Sequence, residues 1–186
     1  QKLVITDVQK QAKKKPSPGL YDLTELQRDA NKRYGFSAKE TLNIMQRLYE
    51  HHKVLTYPRT DSRYIGSDIV PTIKERLKAC NIGPYKAYIP ALLKAPIRTS
   101  KAFVDDKKVS DHHAIIPTEE YVQLDHMSNE ERKIYDLVVR RFISVLYPAY
   151  EYEQTTMKAA VQTSMQTSAK PSVSTAVFGA KGQIVI

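Results

Sequence analysis

The sequence predicts an α+β, mainly helical protein in which a helical domain is inserted between antiparallel strands of a flanking β domain. Three observations predict it. Strand-type stretches rich in Val, Ile, Thr and Tyr gather at the two ends, over Leu3 to Val8 and after Pro148. Apolar residues at helical spacing fill the middle, twice opened by a Ser-x-x-Glu signature. Pro and Gly clusters separate the two kinds of pattern. The expected division is residues 1–15 as a strand of the β domain, 16–147 as the helical domain, and 148–186 as truncated return strands.

Leu3 to Val8 reads as a strand. It runs into a basic tail, Lys10 to Lys15, and breaks at Pro16-Ser17-Pro18-Gly19. From Asp22 the pattern turns helical, with Leu23, Leu26, Gln27 and Ala30 on one face and Gly35 ending the run. Ser37-Ala38-Lys39-Glu40 is a capping box. It opens a helix with Leu42, Met45, Leu48 and Tyr49 on one side and Ile44 beside them, ending around His51-His52-Lys53. Val54 to Asp61 is short and extended. Ser67 or Asp68 caps a further helix through Leu77, with Pro71 in its first turn. Pro84, Pro90, Pro96 and Pro117 punctuate residues 80–118 into short helices and ordered loops.

Ser128-Asn129-Glu130-Glu131 is a second capping box. Its helix carries Ile134, Leu137, Val138, Phe142 and Val145 and stops near Tyr147-Pro148. Ala149 to Thr163 reads as one or two strands, and Ser164 to Ser174 as a turn or strand edge. Val173 to Phe178, Gly179 and Gln183 to Ile186 read as a last hairpin. The two ends of the chain should pair in one sheet.

The chain has 186 residues, enough for one sizeable domain or one domain plus part of another. Its net charge of +9, from 29 basic and 20 acidic residues, favours an anionic partner, and nucleic acid is the commonest. Cys80 stands alone, which excludes an internal disulfide and a CxxC zinc site and fits a reduced, cytosolic setting. No run of ~18 apolar residues occurs, so no membrane-spanning helix is expected. The N-terminus lacks an initiator Met and reads as a cut inside a longer chain. There are 12 Tyr against 4 Phe and no Trp; most of those tyrosines are expected to be structural.

Two segments carry chemistry. The first is Thr56-Tyr57-Pro58-Arg59-Thr60-Asp61-Ser62. A Tyr hydroxyl is a poor nucleophile at neutral pH because its pKa is about 10. Arg59, two residues on in an extended segment, falls on the same side and is suited to stabilise a phenolate or grip the phosphate under attack. Pro58 stiffens the backbone between them. Thr60 and Ser62 offer hydroxyl donors to phosphate oxygens. Asp61 is expected to orient Arg59 or cap a turn. The competing reading of such a string is a polar turn with a half-buried Tyr. The second segment is Ser110-Asp111-His112-His113-Ala114-Ile115-Ile116-Pro117-Thr118, about 50 residues later. Its histidines can donate to a phosphate oxygen, and Asp111 can orient an imidazole. Adjacent histidines of an extended segment point opposite ways, which argues against a shared metal. Asp105-Asp106 lies in a Lys-rich loop and is a poor metal candidate.

Taken whole, the first segment resembles the nucleophile signature of type IA DNA topoisomerases. The second resembles that family's phosphate-binding histidine segment. Gly19 to Asn31 and Thr41 to Glu50 resemble its first helix and the helix leading to the nucleophile. The "YPRTDS" and "DHHAIIPT" forms look more like the topoisomerase III branch than the topoisomerase I branch. The resemblance covers essentially the whole chain. It implies that Tyr57 forms a 5′-phosphotyrosine bond with DNA and that Arg59 and His112 hold the phosphate. His113 occupies a position that varies within the family. It also implies Mg²⁺ held by carboxylates of a separate Toprim domain outside this chain, with no metal bound by the fragment itself. The implied partner is single-stranded or negatively supercoiled DNA, relaxed or decatenated without ATP. The implied setting is a monomer in the bacterial cytoplasm, at the nucleoid and off the membrane. The fragment alone is expected to be inactive in relaxation. The alternatives are a non-catalytic single-strand-binding module, a tyrosine recombinase, and a structural domain with incidental charge.

Overall fold

A computed structural model describes residues 3–165 and 172–185. Two compact units appear: residues 1–16 with 149–186, and residues 17–148.

The first unit is a three-stranded antiparallel sheet in the order β1-β2-β3, from β1 (Leu3–Lys15), β2 (Tyr150–Met165) and β3 (Ser172–Val185). The chain's two ends therefore do pair. β1 does not stop at Val8, because the basic tail continues the strand. Tyr150 to Glu153 pair with Lys15 to Ala12, and the Lys10–Glu153 (3.1 Å) and Lys14–Glu151 (2.6 Å) ion pairs offset the run of like charge. A register shift between Ile5 and Asp7 leaves Thr6 unpaired in the ladder. The expected final hairpin is instead one strand, β3, which runs through Gly179 and Gly182 paired to β2 along its length. The predicted turn within Ser164 to Ser174 falls partly on residues 166–171, outside the described residues; Ser164 and Met165 extend β2, and Ser172 to Ser174 begin β3. Leu3, Val4 and Ile5 are consecutive and all more than half exposed, so both faces of β1 meet solvent there.

The second unit holds the hydrophobic core, whose buried residues run from Leu20 to Leu146. Three helices pack on one another: α1 (Leu23–Tyr34), α2 (Ala38–Glu50) and α5 (Asn129–Leu146). Asp22 caps α1 by accepting from the Glu25 amide, and Gly35 ends it at φ 74°, a left-handed conformation that favours glycine. Both capping boxes form, Ser37 with Glu40 and Ser128 with Glu131. The buried face of α2 is Thr41, Ile44, Met45 and Leu48. Leu42 and Tyr49, expected on that face, lie at its margin, and Tyr49 is 38 % exposed.

Between these helices run short elements. A 3₁₀ turn (Val70–Thr72) containing Pro71 leads into α3 (Ile73–Ala79), and neither Ser67 nor Asp68 caps it. The Ser67 amide instead donates to Asp106, which draws the turn toward the Asp105–Lys108 loop. A 3₁₀ turn (Gly83–Ala87) and α4 (Ile89–Lys94) follow. Among the described residues, no helix is long and apolar enough to cross a membrane.

Candidate active site

The two chemistry-bearing segments lie side by side because their backbones pair. Leu55 bridges Pro117 in antiparallel fashion. The Thr56 amide donates to Ile116 O (3.0 Å), while Thr56 Oγ1 accepts from the Ile116 amide (3.0 Å) and donates to Ala114 O (3.2 Å). Further along, the Ala114 amide donates to Tyr64 O (2.8 Å). The stretch leading into α1 joins the same layer: Tyr21 bridges Ile115, and the Leu23 amide donates to Thr60 O (3.1 Å). Thr56, β-branched and with a hydroxyl that both donates and accepts, suits such a junction.

This pairing brings Tyr57 against His112, with ring centroids 4.3 Å apart and planes tilted by 36°. Tyr57 is half-buried, and His112 is exposed. Both border an open cleft of about 240 Å³, together with Thr56, Gly66, Asp68, Val109, Asp111 and His113. Arg59 is exposed and has no carboxylate in ion-pair range among the described residues. The phenol and the imidazole thus meet at one cleft, with the phenol open on one side, whereas Arg59 is not among the residues that line it.

Several expectations need correction. Thr60 and Ser62, expected to face phosphate, are buried at 7 % and 4 % exposure. Thr60 Oγ1 donates to His112 O (3.2 Å), and Ser62 Oγ donates to Lys108 O (2.9 Å) and Tyr64 O (3.3 Å). These hydroxyls bind the segments together, and their protons are spent on carbonyls. Asp61 accepts from Ser110 Oγ (2.9 Å) and so clips the two segments to each other; it does not orient Arg59. His113 is half-buried, and its Nδ1 lies 2.7 Å from Ala114 O. A carbonyl only accepts, so that nitrogen carries a proton and the other ring nitrogen faces elsewhere. The chain bends at Asp111-His112, so both histidines border one cleft, where a straight strand would send them to opposite faces. No group of three or more His, Cys, Asp or Glu able to hold a metal occurs among the described residues.

Other residues were invisible to sequence reasoning. Arg76 is 7 % exposed. It donates to Pro117 O (2.8 Å) and Thr72 Oγ1 (2.8 Å) and pairs with Glu119 (2.9 Å), bracing the histidine segment against α3. Arg141 of α5 lies over the Tyr21 ring (4.0 Å), bonds Asp29 (2.8 Å) and Gly19 O (2.9 Å), and fixes the stretch that bridges Ile115.

A family model described as DNA topoisomerase matches residues 1–178. The chain belongs to that family. Within it the chain falls in the bacterial type IA group. It is similar to the DNA topoisomerase 3 of Bacillus cereus, 65 % identical over 161 residues, which are 87 % of this chain and 22 % of that protein. The DNA topoisomerase 3 of Bacillus subtilis is 57 % identical over 158 residues, 85 % of this chain and 22 % of that protein. The chain thus spans about a fifth of the length of these topoisomerases. A solved structure of full-length topoisomerase I from Thermotoga maritima matches with a TM-score of 0.61 at 22 % identity, over 99 % of this chain and 28 % of that one. At that identity the likeness concerns the fold alone. It supports reading the α+β architecture as the family's own.

Proposed function

We propose that this chain is the nucleophile-bearing portion of a type IA DNA topoisomerase and that Tyr57 attacks DNA. The phenolic oxygen forms a bond to a backbone phosphorus of single-stranded DNA. The bond from phosphorus to the 3′-oxygen breaks, and that oxygen leaves with a proton as a 3′-hydroxyl. The product is a 5′-phosphotyrosine, and attack by the same 3′-hydroxyl reverses the step. The phosphodiester's energy is kept in the covalent bond, so passage of another strand needs no ATP. Arg59 and the imidazole of His112 stabilise charge on the phosphoryl oxygens.

The observation that carries this reading is the half-exposed Tyr57 ring beside His112 at the rim of an open cleft. Mg²⁺ binding falls to carboxylates, and proton transfer to a Glu and a Lys, elsewhere in the full-length protein. We read residues 17–148 as a body inserted in a β domain, which moves on its flanking strands to admit DNA. The whole protein works as a monomer in the bacterial cytoplasm.

The test uses the full-length protein with a 3′-labelled single-stranded oligonucleotide and Mg²⁺. Denaturing gels should show a covalent protein–DNA adduct that disappears in Tyr57→Phe while oligonucleotide binding persists. An adduct that survives Tyr57→Phe would falsify the assignment.

A further inference from the structure

The Tyr57 ring has a second aromatic neighbour. Tyr49, in the last turn of α2, lies with its ring centroid 5.5 Å away and its plane at 81°, an edge-on contact. His112 is the other ring beside it, at 4.3 Å and 36°. Tyr49 is 38 % exposed, so burying its ring in the core does not account for its place. Its hydroxyl makes no hydrogen bond among the described residues, whereas the buried Tyr21 and Tyr85 hydroxyls each bond a carboxylate. What Tyr49 contributes is a ring in T-shaped contact with Tyr57, presented from a helix that is itself fixed through the buried Ile44, Met45 and Leu48.

We infer that Tyr49 is a positioning residue for the nucleophile, holding the Tyr57 ring between itself and His112. This rests on the reading of Tyr57 as the attacking group. A phenol on the rim of an open cleft has rotamers to choose from, and only those that aim its oxygen at the phosphorus are productive. The edge-on contact closes off ring positions on the α2 side, while the tilted contact with His112 limits the other. The attacking oxygen then points outward without reorganisation when DNA arrives. Because the contact is between rings, Phe at position 49 should serve as well as Tyr.

The experiment compares full-length Tyr49→Ala and Tyr49→Phe with the parent protein. Single-turnover formation of the covalent adduct is measured with a 3′-labelled single-stranded oligonucleotide, alongside oligonucleotide affinity and thermal melting. Tyr49→Ala should slow adduct formation about tenfold, with affinity and melting temperature unchanged, and Tyr49→Phe should restore the parent rate. A purely structural role would move the melting temperature with the rate. A parent-like rate in Tyr49→Ala overturns the inference. So does a loss that tracks affinity or melting, or a Phe variant as slow as Ala. Absence of any adduct from the parent protein overturns this inference and the assignment of Tyr57 together. The Tyr49 outcomes, read where the parent reacts, overturn only the positioning role.

Discussion

Arg59 and Glu131 are both charged side chains, but their surroundings give them different work. Arg59 is exposed and unpaired among the described residues, which leaves its guanidinium free for an incoming phosphate. Arg59→Ala in the full-length protein should slow single-turnover adduct formation by about 10²-fold. Arg59→Lys should fall between, because an ammonium keeps the charge but loses the planar fork. Glu131 is nearly buried at the start of α5. It accepts from Arg47 Nε (2.8 Å), from the Ser128 amide (2.9 Å) and, at 3.2 Å, from His52. Burial pushes its carboxyl up, but the Arg47 and Ser128 hydrogen bonds and the His52 contact outweigh that and hold it below its ordinary 4.5. A depressed carboxyl stabilises the fold fully above about pH 4.5, and that stability is lost as pH falls through its lower folded value. Glu131→Gln should therefore destabilise the protein by about 2 kcal/mol at neutral pH. It should also flatten the dependence of melting temperature on pH below about 4.5, as thermal melts across that range would show.

At the scale of elements, local signals were legible and cross-chain ones were not. Ser37, Ser128 and Gly35 announce helix ends in the sequence because each acts on backbone groups within a few residues of itself. Ser128→Ala should cost about 1 kcal/mol, read as a lower melting temperature. The sequence does not fix the rotation of α2, because Leu42 and Tyr49 are apolar enough for the core, yet α1 and α5 pack on the neighbouring stripe. Lys10 to Lys15 reads as a tail because six residues holding four lysines repel one another. The carboxylates that compensate them, Glu151 and Glu153, lie more than a hundred residues away in the chain. Arg76 gave no signal either, since its partners at Pro117 and Glu119 are set by the fold. Arg76→Ala would leave Pro117 O without its donor and should destabilise by about 2 kcal/mol. Hydrogen exchange should then quicken over 114–118.

At the scale of the molecule, the sheet and the helical unit are separate compact bodies, and the core belongs to the second. The described residues carry the proposed nucleophile and phosphate-holding groups but no cluster of carboxylates able to hold a metal. Incubated with negatively supercoiled plasmid and Mg²⁺, the isolated chain should leave the topoisomer distribution unchanged on a gel; robust relaxation would overturn the proposed division of labour. The sequence by itself determined the family, through two motif strings. It also determined the main helices, through capping and periodicity that act over a few residues. It singles out Tyr57, Arg59 and His112 as candidates, and it gives Thr60 and Ser62 phosphate partners where the fold gives them carbonyls. Only the tertiary structure decided which hydroxyls turn inward to carbonyls and which rings meet. That choice depends on backbone pairing between residues some sixty positions apart, such as Thr56 with Ile116, and no local pattern records it.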